Sequence, residues 1–284
     1  MSRPRFLRPA LVGIAVAALA LTGCASSGTP SGGGSSAPAD EGYVTPGKLT
    51  IATGETAYEP YVFDDDPESG EGFEAAVAYA VAEQLGFDAE DVVWVRTSFE
   101  SAIAPGPKSF DFNIQQYTIT DERKQAVDFS SPYFEASQAV VALEGGPAEG
   151  VTDIAGLKDL VLGAMTGSTS ATTIAEAIAP NVEPQLYSSN EDAVAALGAN
   201  QIDAIVLDTP TAYVAANFYI ENSFLVGELP AAGVPDQWGL LLAKDSPLTP
   251  AVTAAVDALR EDGTLAALEE EWLSVLTEGV PALQ

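Results

Sequence analysis

The chain has 284 residues, with 11 Lys and Arg against 41 Asp and Glu, and a formal net charge of −30 at pH 7. A surface this acidic repels polyanions, so nucleic acid is not expected as a partner. The sequence contains no histidine and one cysteine, which excludes Ser-His-Asp and Cys-His catalysis, HExxH zinc sites and internal disulfides. It has no GxxxxGK[ST] loop and no GxGxxG after a strand, and neither a cofactor nor a metal is expected.

The N-terminus has the composition of an export signal. Three arginines within the first eight residues precede an apolar run over 11–21, which is shorter than the roughly 20 residues that span a bilayer. The run leads into the tetrapeptide LTGC, which resembles the lipobox of bacterial lipoproteins. That resemblance implies removal of a signal peptide, 1–23, and a diacylglyceryl group on Cys24 that anchors the exported chain to the outer face of the cytoplasmic membrane. An ordinary signal peptide followed by a buried cysteine is the alternative.

Residues 24–46 consist mainly of Ser, Gly, Ala, Pro and Thr. This stretch has no apolar periodicity with which to bury itself, so it predicts a flexible tether. The residues that follow it are numerous enough for two modest lobes or one large domain.

From residue 47 onward, short β-rich runs alternate with alanine-rich amphipathic segments, which is typical of an α/β fold with parallel strands. A helix is predicted over 72–86, where Phe73 and Val77 recur at helical spacing and a glycine ends the helix. Ser98 begins a short second helix. Strands are predicted at 48–53, 92–95, 110–117 and 139–143.

A second α/β block is predicted after a Gly-Gly-Pro border at 145–147. Its buried strand at 202–207 leads directly into Asp208, and Thr209-Pro210 then opens a helix with proline at the first helical position. A strand at 238–243 returns the chain toward the first block. The other elements predicted here are a strand at 160–164, helices at 166–179 and 191–199, the latter capped by Asn190, and terminal helices from 249 and 264.

Two charged residues lie at positions where a ligand can bind. Arg123 follows a strand, and its guanidinium could bind a carboxylate through two parallel hydrogen bonds with help from Thr118. A loop arginine paired with Asp121 is the alternative. Asp208 stands at the carboxyl end of a buried strand, where open α/β sheets bind ligands. A charge that serves only the following helix N-terminus is the alternative.

The remaining charges have simpler explanations. Arg260 lies near the end of an amphipathic helix, where a cation suits the helix dipole, and Arg96 at a strand end is ambiguous. The acidic stretch at 64–68 lacks the alternating ligands and glycine of an EF-hand loop. We therefore interpret it as a solvated loop, with a calcium site as the alternative.

The run over 110–134, FDFNIQQYTITDERKQAVDFSSPYF, closely resembles the signature of the family 3 extracellular solute-binding proteins, the polar amino acid receptors of ABC importers. The likeness extends from residue 48 to about 276. It includes the motifs YEPY at 58–61, GFE at 72–74, GST at 167–169 and EDGTL at 261–265.

The resemblance implies a two-lobed α/β fold of the periplasmic-binding-protein-like type II. Each lobe would be a mixed, mostly parallel sheet with flanking helices, and two hinge strands would join the lobes. The first lobe is expected to comprise 47–140 and 240–284, and the second 141–239.

The resemblance also implies how a ligand is bound. Arg123 would bind an α-carboxylate together with the Thr118 hydroxyl, and Ser168 and Thr169 would close over the same anion from a helix N-terminus. Asp208 would bind the α-ammonium.

The resemblance implies further ligand contacts at three positions, and the chain departs from the family at two more. Tyr58 and Phe99 would enclose the ligand between aromatic rings, with packing in the core as their alternative. Glu55, where the family usually has aspartate, would be a second partner of the ammonium. Gln116 and its neighbour Gln115 replace the small residues frequent in the family and would contact the ligand side chain or narrow the pocket.

The expected function is therefore that of an extracytoplasmic receptor that captures a polar amino acid and delivers it to an ABC permease. We expect a monomer that is not an enzyme. Two alternatives are an enzyme of the cyclohexadienyl dehydratase type, with a cleft carboxyl as its acid, and the ligand-binding module of a sensor.

Overall fold

The computed structural model describes residues 42–230, 236–277 and 279–284. The predicted signal peptide, Cys24 and most of the predicted tether lie outside these residues. Tyr43 and Val44, at the end of the predicted tether, belong to the folded part. The Tyr43 ring packs edge-on against Phe87 at 5.0 Å between centroids, and the Val44 N–H donates to Asp111 at 2.7 Å.

The first lobe is built on a five-stranded mixed sheet with strand order β2-β1-β3-β10-β4. β2 and β3 run parallel to β1, whereas β10 is antiparallel to β3 and β4. Its strands are β1 (Leu49–Gly54), β2 (Val92–Thr97), β3 (Phe112–Asn113), β4 (Val127–Ala136) and β10 (Asp236–Ala243).

Helices on this sheet bury its apolar core. α1 buries Phe73, Val77 and Val81, which the structure places in one cluster with strand residues such as Ile51 and Leu240. The helices of this lobe are α1 (Phe73–Gln84), α2 (Phe99–Ile103), α6 (Thr249–Glu261), α7 (Thr264–Trp272) and α8 (Ser274–Thr277).

The second lobe contains another five-stranded mixed sheet, with strand order β7-β6-β8-β5-β9. β6 is parallel to β7 and β8, and β5 is antiparallel to β8 and β9. Its strands are β5 (Gln138–Leu143), β6 (Leu162–Met165), β7 (Gln185–Tyr187), β8 (Ala204–Asp208) and β9 (Ser223–Glu228). Its helices are α3 (Thr169–Thr173) and α5 (Thr209–Val214), which continue as π-helical turns over Ile174–Ile178 and Ala215–Tyr219, and α4 (Asn190–Gly198).

The two mixed sheets with flanking helices confirm the predicted fold class. β4 leads to β5 through Ser137, and the chain returns from β9 to β10, so it passes between the sheets twice.

The sheets divide the chain slightly differently from the predicted lobe boundaries. Gln138 already belongs to the second sheet, and β10 joins the first sheet from Asp236. The C-terminal residues were expected in the first lobe, yet Leu283 donates its N–H to Glu228 at the edge of the second sheet at 2.8 Å. Strand pairing decides where each lobe begins and ends along the chain, and this pairing cannot be predicted from the sequence pattern alone.

Within the part of the chain that the structure describes, no helix combines the length and apolar character needed to cross a bilayer.

Candidate functional site

A small cavity lies between the two sheets and is lined by residues of both lobes. Its volume is about 20 Å³, far below the roughly 300–1,000 Å³ of cavities that hold small ligands. The first lobe contributes Tyr58, Phe99, Gln115, Gln116 and Arg123. The second contributes Met165, Ser168, Thr169, Ser170, Asn190 and Asp208. The lobes are thus closed on each other in this conformation.

Arg123 provides the positive charge of this cavity. Only 8% of the residue is exposed, and burial lowers the pKa of its guanidinium from the ordinary value, although an arginine remains charged at neutral pH. Its two terminal nitrogens donate to the Thr118 carbonyl at 2.8 Å and, across the lobes, to the Gly167 carbonyl at 2.9 Å. Asp121 pairs with Lys124 instead, at 3.5 Å.

Asp208 faces the same cavity from the second lobe, at the carboxyl end of β8. Its side chain makes no capping hydrogen bond to α5, so it does not serve as an ordinary helix cap. It accepts a hydrogen bond from Gln138 Nε2 at 2.5 Å. Burial, and then the nearby charge of Asp236, raise the pKa of Asp208 to about 8.

Aromatic rings lie on two sides of the cavity. Phe99 stacks on Tyr117 with 4.5 Å between ring centroids, and the Arg123 guanidinium lies 5.3 Å from the Phe99 centroid, within cation–π distance. Asn190 Nδ2 donates to the Tyr58 hydroxyl from the other lobe at 3.5 Å. The predicted aromatic pair therefore borders the space that Arg123 and Asp208 share.

Three predicted hydroxyl groups have partners within the protein. Thr118 is absent from the cavity wall, but its hydroxyl lies 3.3 Å from that of Thr169 in the other lobe. Ser168 caps α3: its Oγ accepts from the Ala171 N–H at 3.1 Å and donates to the Met165 carbonyl at 2.7 Å.

Glu55 does not lie where the sequence places it. The residue is exposed and is not part of the cavity wall, because β1 ends at Gly54 and the chain then turns outward. Arg96, the ambiguous cation, is held outside the cavity by the Gly54 carbonyl at 3.0 Å and by Asp65 at 2.6 Å. Asp65 also accepts from the Ala57 N–H at 2.8 Å, so this part of the acidic stretch is tied to its neighbours.

Gln116 lines the cavity, but its amide is already engaged. Both its backbone N–H, at 2.8 Å, and its side-chain Nε2 donate to the carboxyl of Glu74. Gln115 accepts from the Tyr117 hydroxyl at 2.9 Å. Of the two roles expected for these residues, contact with the ligand side chain and narrowing of the pocket, the bonds to Glu74 favour the second for Gln116.

Sequence reasoning missed the wall residues Met165, Ser170 and Asn190. It also missed Glu74, which binds Gln116 on the wall. Glu74 is fully buried and also accepts from the Tyr133 hydroxyl, and burial raises its pKa to about 7. The only signal was its place after Gly72-Phe73, a motif noted for its likeness alone. Gly72 has φ 108°, and a Cβ there would lie 2.5 Å from the Tyr61 carbonyl oxygen, so only glycine fits at this turn.

A larger groove of about 710 Å³ opens beside the cavity and shares Tyr58 and Asn190 with it. Its walls come from 56–65 in the first lobe and from 190–221 in the second. Among the described residues, no group of three or more side chains is arranged to hold a metal ion.

Comparison with known proteins gives consistent results over most of the chain. The sequence model of the family described as "Bacterial extracellular solute-binding proteins, family 3" matches residues 49–275. The L-cystine-binding protein TcyJ of Escherichia coli strain K12 is 30% identical over 273 residues, which cover 93% of this chain and 95% of that protein. The L-arginine-binding protein of Pseudomonas aeruginosa is 28% identical over 227 residues, 78% of this chain and 86% of that protein. A solved structure described as an ancestral arginine-binding protein bound to glutamine is 31% identical, with a TM-score of 0.66 over 80% of this chain and 97% of that one.

Proposed function

Because the chain belongs to family 3 of the bacterial extracellular solute-binding proteins, we propose that it captures a polar amino acid between its lobes and delivers it to an ABC importer. The observation that carries this proposal is that Arg123, from the first lobe, and Asp208, from the second, line the same cavity. A cation from one lobe and a carboxyl from the other are complementary to the two charged ends of an amino acid.

Arg123 is the proposed partner of the ligand carboxylate. A guanidinium has five N–H donors in a planar fork that matches a carboxylate. Two donors bind the carbonyls of Thr118 and Gly167, and the others remain available to an anion in the cavity. The hydroxyls of Thr118 and Thr169, which meet across the lobes, and the capped start of α3 at Ser168 are proposed to complete this end of the site.

Asp208 is the proposed partner of the ammonium group, with Tyr58 and Phe99 as the aromatic walls. Glu55 has no part in this proposal, since it lies outside the cavity wall. Gln116 shapes the wall through Glu74, and Gln115 is proposed to lie near the ligand side chain.

Binding requires that the lobes separate and then close around the ligand with a larger cavity than in this conformation. The present cavity of about 20 Å³ is too small for an amino acid, and direct contacts join the lobes at Arg123, Thr118 and Tyr58. A ligand that contacts both lobes has extra affinity for the closed state and so stabilises it.

A calorimetric panel of polar amino acids tests the proposed function. At least one is expected to bind, and Arg123→Ala should weaken that binding by about 2–5 kcal/mol, roughly thirty-fold to several-thousand-fold. Arg260→Ala is the matched control, because among the residues that the structure describes this half-exposed arginine pairs with Asp257, three residues away, and with no other carboxylate. Equal loss in both variants, or no binding by the unmodified protein, would contradict the proposal.

The same proposal treats the protein as a monomeric receptor and not as an enzyme. The relatives compared above are named as binding proteins. Consumption of prephenate or arogenate by the purified protein would instead support the dehydratase alternative.

We further propose that the exported protein is anchored by lipid at Cys24. The support is the short apolar run followed by LTGC and a polar stretch, and two acyl chains give stable anchoring where one is marginal. Cys24→Ala should move the protein from the membrane fraction to the medium or the soluble extracytoplasmic fraction. An unchanged membrane fraction would contradict the anchor.

A further inference from the structure

Gln138, the first residue of β5, occupies a junction between two carboxyl groups. The residue is 7% exposed. Its side-chain nitrogen donates one hydrogen to Asp208 at 2.5 Å and the other to Asp236 at 2.7 Å, while its oxygen accepts from Ser170 Oγ at 2.7 Å. Both N–H donors of this buried amide are thus committed to carboxylates.

The two bonds differ in what they connect. Gln138 and Asp208 are direct cross-strand partners in the second sheet, on β5 and β8. Asp236 begins β10 in the first sheet, where it pairs with Ala136. The bond to Asp208 therefore stays within the second lobe, whereas the bond to Asp236 joins the lobes at the two segments where the chain passes between them.

In this closed conformation the side-chain amide of Gln138 contacts two carboxyl groups, those of Asp208 and Asp236. Asp208 is also faced by the carboxyl of Glu74 and by the hydroxyls of Tyr58 and Tyr61, all in the first lobe, and by the cation Arg123. A second negative charge close to Asp208 disfavours ionisation of Asp208, in agreement with its raised pKa.

We propose that Gln138 and Asp236 are positioning residues that make closure depend on the ammonium group of the ligand. Gln138 orients the Asp208 carboxylate toward the cavity, and Asp236 adds a second negative charge when the lobes close. A ligand ammonium compensates this charge, and an uncharged group does not. This inference rests on the proposed function, since it takes Asp208 as the partner of the ammonium.

The pH profile of ligand affinity distinguishes this role from simple packing. The probe is whichever of L-cystine, L-arginine, L-glutamine and L-histidine binds the unmodified protein most tightly. Affinity and proton release are measured by calorimetry in two buffers of different ionisation enthalpy.

Asp236→Asn removes a negative charge beside Asp208, so the midpoint of the profile of affinity against pH should move to lower pH, and fewer protons should be released on binding at neutral pH. Gln138→Leu removes a donor to the carboxylate, so the midpoint should move to higher pH, with about ten-fold or greater loss of affinity at neutral pH.

Gln237→Leu is the matched control, because this neighbouring glutamine also donates to a carboxylate, Glu135, at 2.8 Å, but within the first sheet at an exposed position. Its profile should equal that of the unmodified protein. Identical profiles for Asp236→Asn and the unmodified protein would overturn the inference and leave the proposed function intact, and this holds even where Gln138→Leu fails to fold. Absence of binding by all four amino acids would overturn both.

Discussion

Asp208 combines a place on the cavity wall with a pKa that differs strongly from the ordinary value of a carboxyl group. Burial and Asp236 raise this pKa from 3.8 to about 8. A group whose pKa is higher in the folded chain than in the unfolded chain stabilises the fold below the unfolded pKa. That contribution is lost as the pH rises through the folded pKa. For Asp208 the loss extends from about pH 4 to about pH 8, and Glu74, with a pKa of about 7, acts in the same direction.

We therefore expect Asp208→Asn to flatten the pH dependence of stability in the absence of ligand. The free energy of unfolding of the unmodified protein should fall from about pH 5 to about pH 8, and the asparagine variant should lose less, by at most about 1.4 kcal/mol per pH unit. Urea denaturation at several pH values measures this difference. Asp121→Asn, at a fully exposed carboxylate, serves as control, and parallel curves for Asp208→Asn and the unmodified protein would refute the expectation.

Sequence reasoning identified charged residues that lie in a recognisable motif and missed those whose place depends on distant partners. The resemblance to a known family implied that Arg123 and Asp208 bind the two ends of one ligand, and for Asp208 its place at the end of a strand pointed the same way. Glu74 accepts a hydrogen bond from the hydroxyl of Tyr133, which lies 59 residues away in sequence. Gln138 contacts residues 70 and 98 positions away. A side chain fixed by such long-range contacts leaves no local pattern.

Asn190 illustrates how a local signal can be assigned to the wrong role. The sequence predicts it as the cap of a helix, because asparagine is frequent at that position. In the structure Ser189 is the cap, accepting from the Asp192 N–H at 3.2 Å, and Asn190 faces the cavity. The helix thus begins one residue earlier than predicted, and Asn190 lines the cavity instead of capping the helix.

Secondary structure was predictable where periodicity is strong. The helix expected over 72–86 is α1, and the strand expected over 202–207 lies within one residue of β8 at its carboxyl end. The strand expected over 110–117 is shorter, because β3 pairs only Phe112 and Asn113 with β1 before the chain turns at Gln116, whose φ is 48°.

β4 was not predicted as a strand because its sequence breaks the usual pattern. It contains two serines and Pro132, which lacks an N–H. In the structure β4 is an edge strand whose pairing with β10 has register shifts near Gly239, and proline is tolerated at such edges and bulges. The sheet position of an element, which the sequence does not state, therefore decides whether an irregular run can form a strand.

The molecule as a whole is organised around contacts that cross between its lobes. Arg123 reaches the Gly167 carbonyl, Gln138 reaches Asp236, and Tyr61 contacts Thr211 at 2.9 Å between hydroxyl oxygens. The first involves a charge that the proposed ligand would contact, and the second involves a charge next to Asp208. The third is a neutral hydrogen bond between two residues that do not line the cavity, so it tests closure apart from direct ligand contacts.

Thr211→Val is expected to weaken closure without altering any group on the cavity wall. Valine has nearly the shape of threonine but leaves the hydroxyl of Tyr61, a residue only 1% exposed, without this partner in the closed state, whereas water can reach it in the open state. The cost of an unpaired buried hydroxyl is about 1–3 kcal/mol, so the ratio of closed to open molecules and the ligand affinity should each fall by roughly five-fold to a hundred-fold or more. Small-angle scattering should give a larger radius of gyration for Thr211→Val than for the unmodified protein, and calorimetry should give a weaker ligand affinity.

Thr249→Val is the control, because it removes a threonine bond to Asp128 at 3.2 Å inside the first lobe. It should change neither the radius of gyration nor the affinity. Equal scattering and affinity for the two variants would show that the Tyr61–Thr211 contact does not control closure.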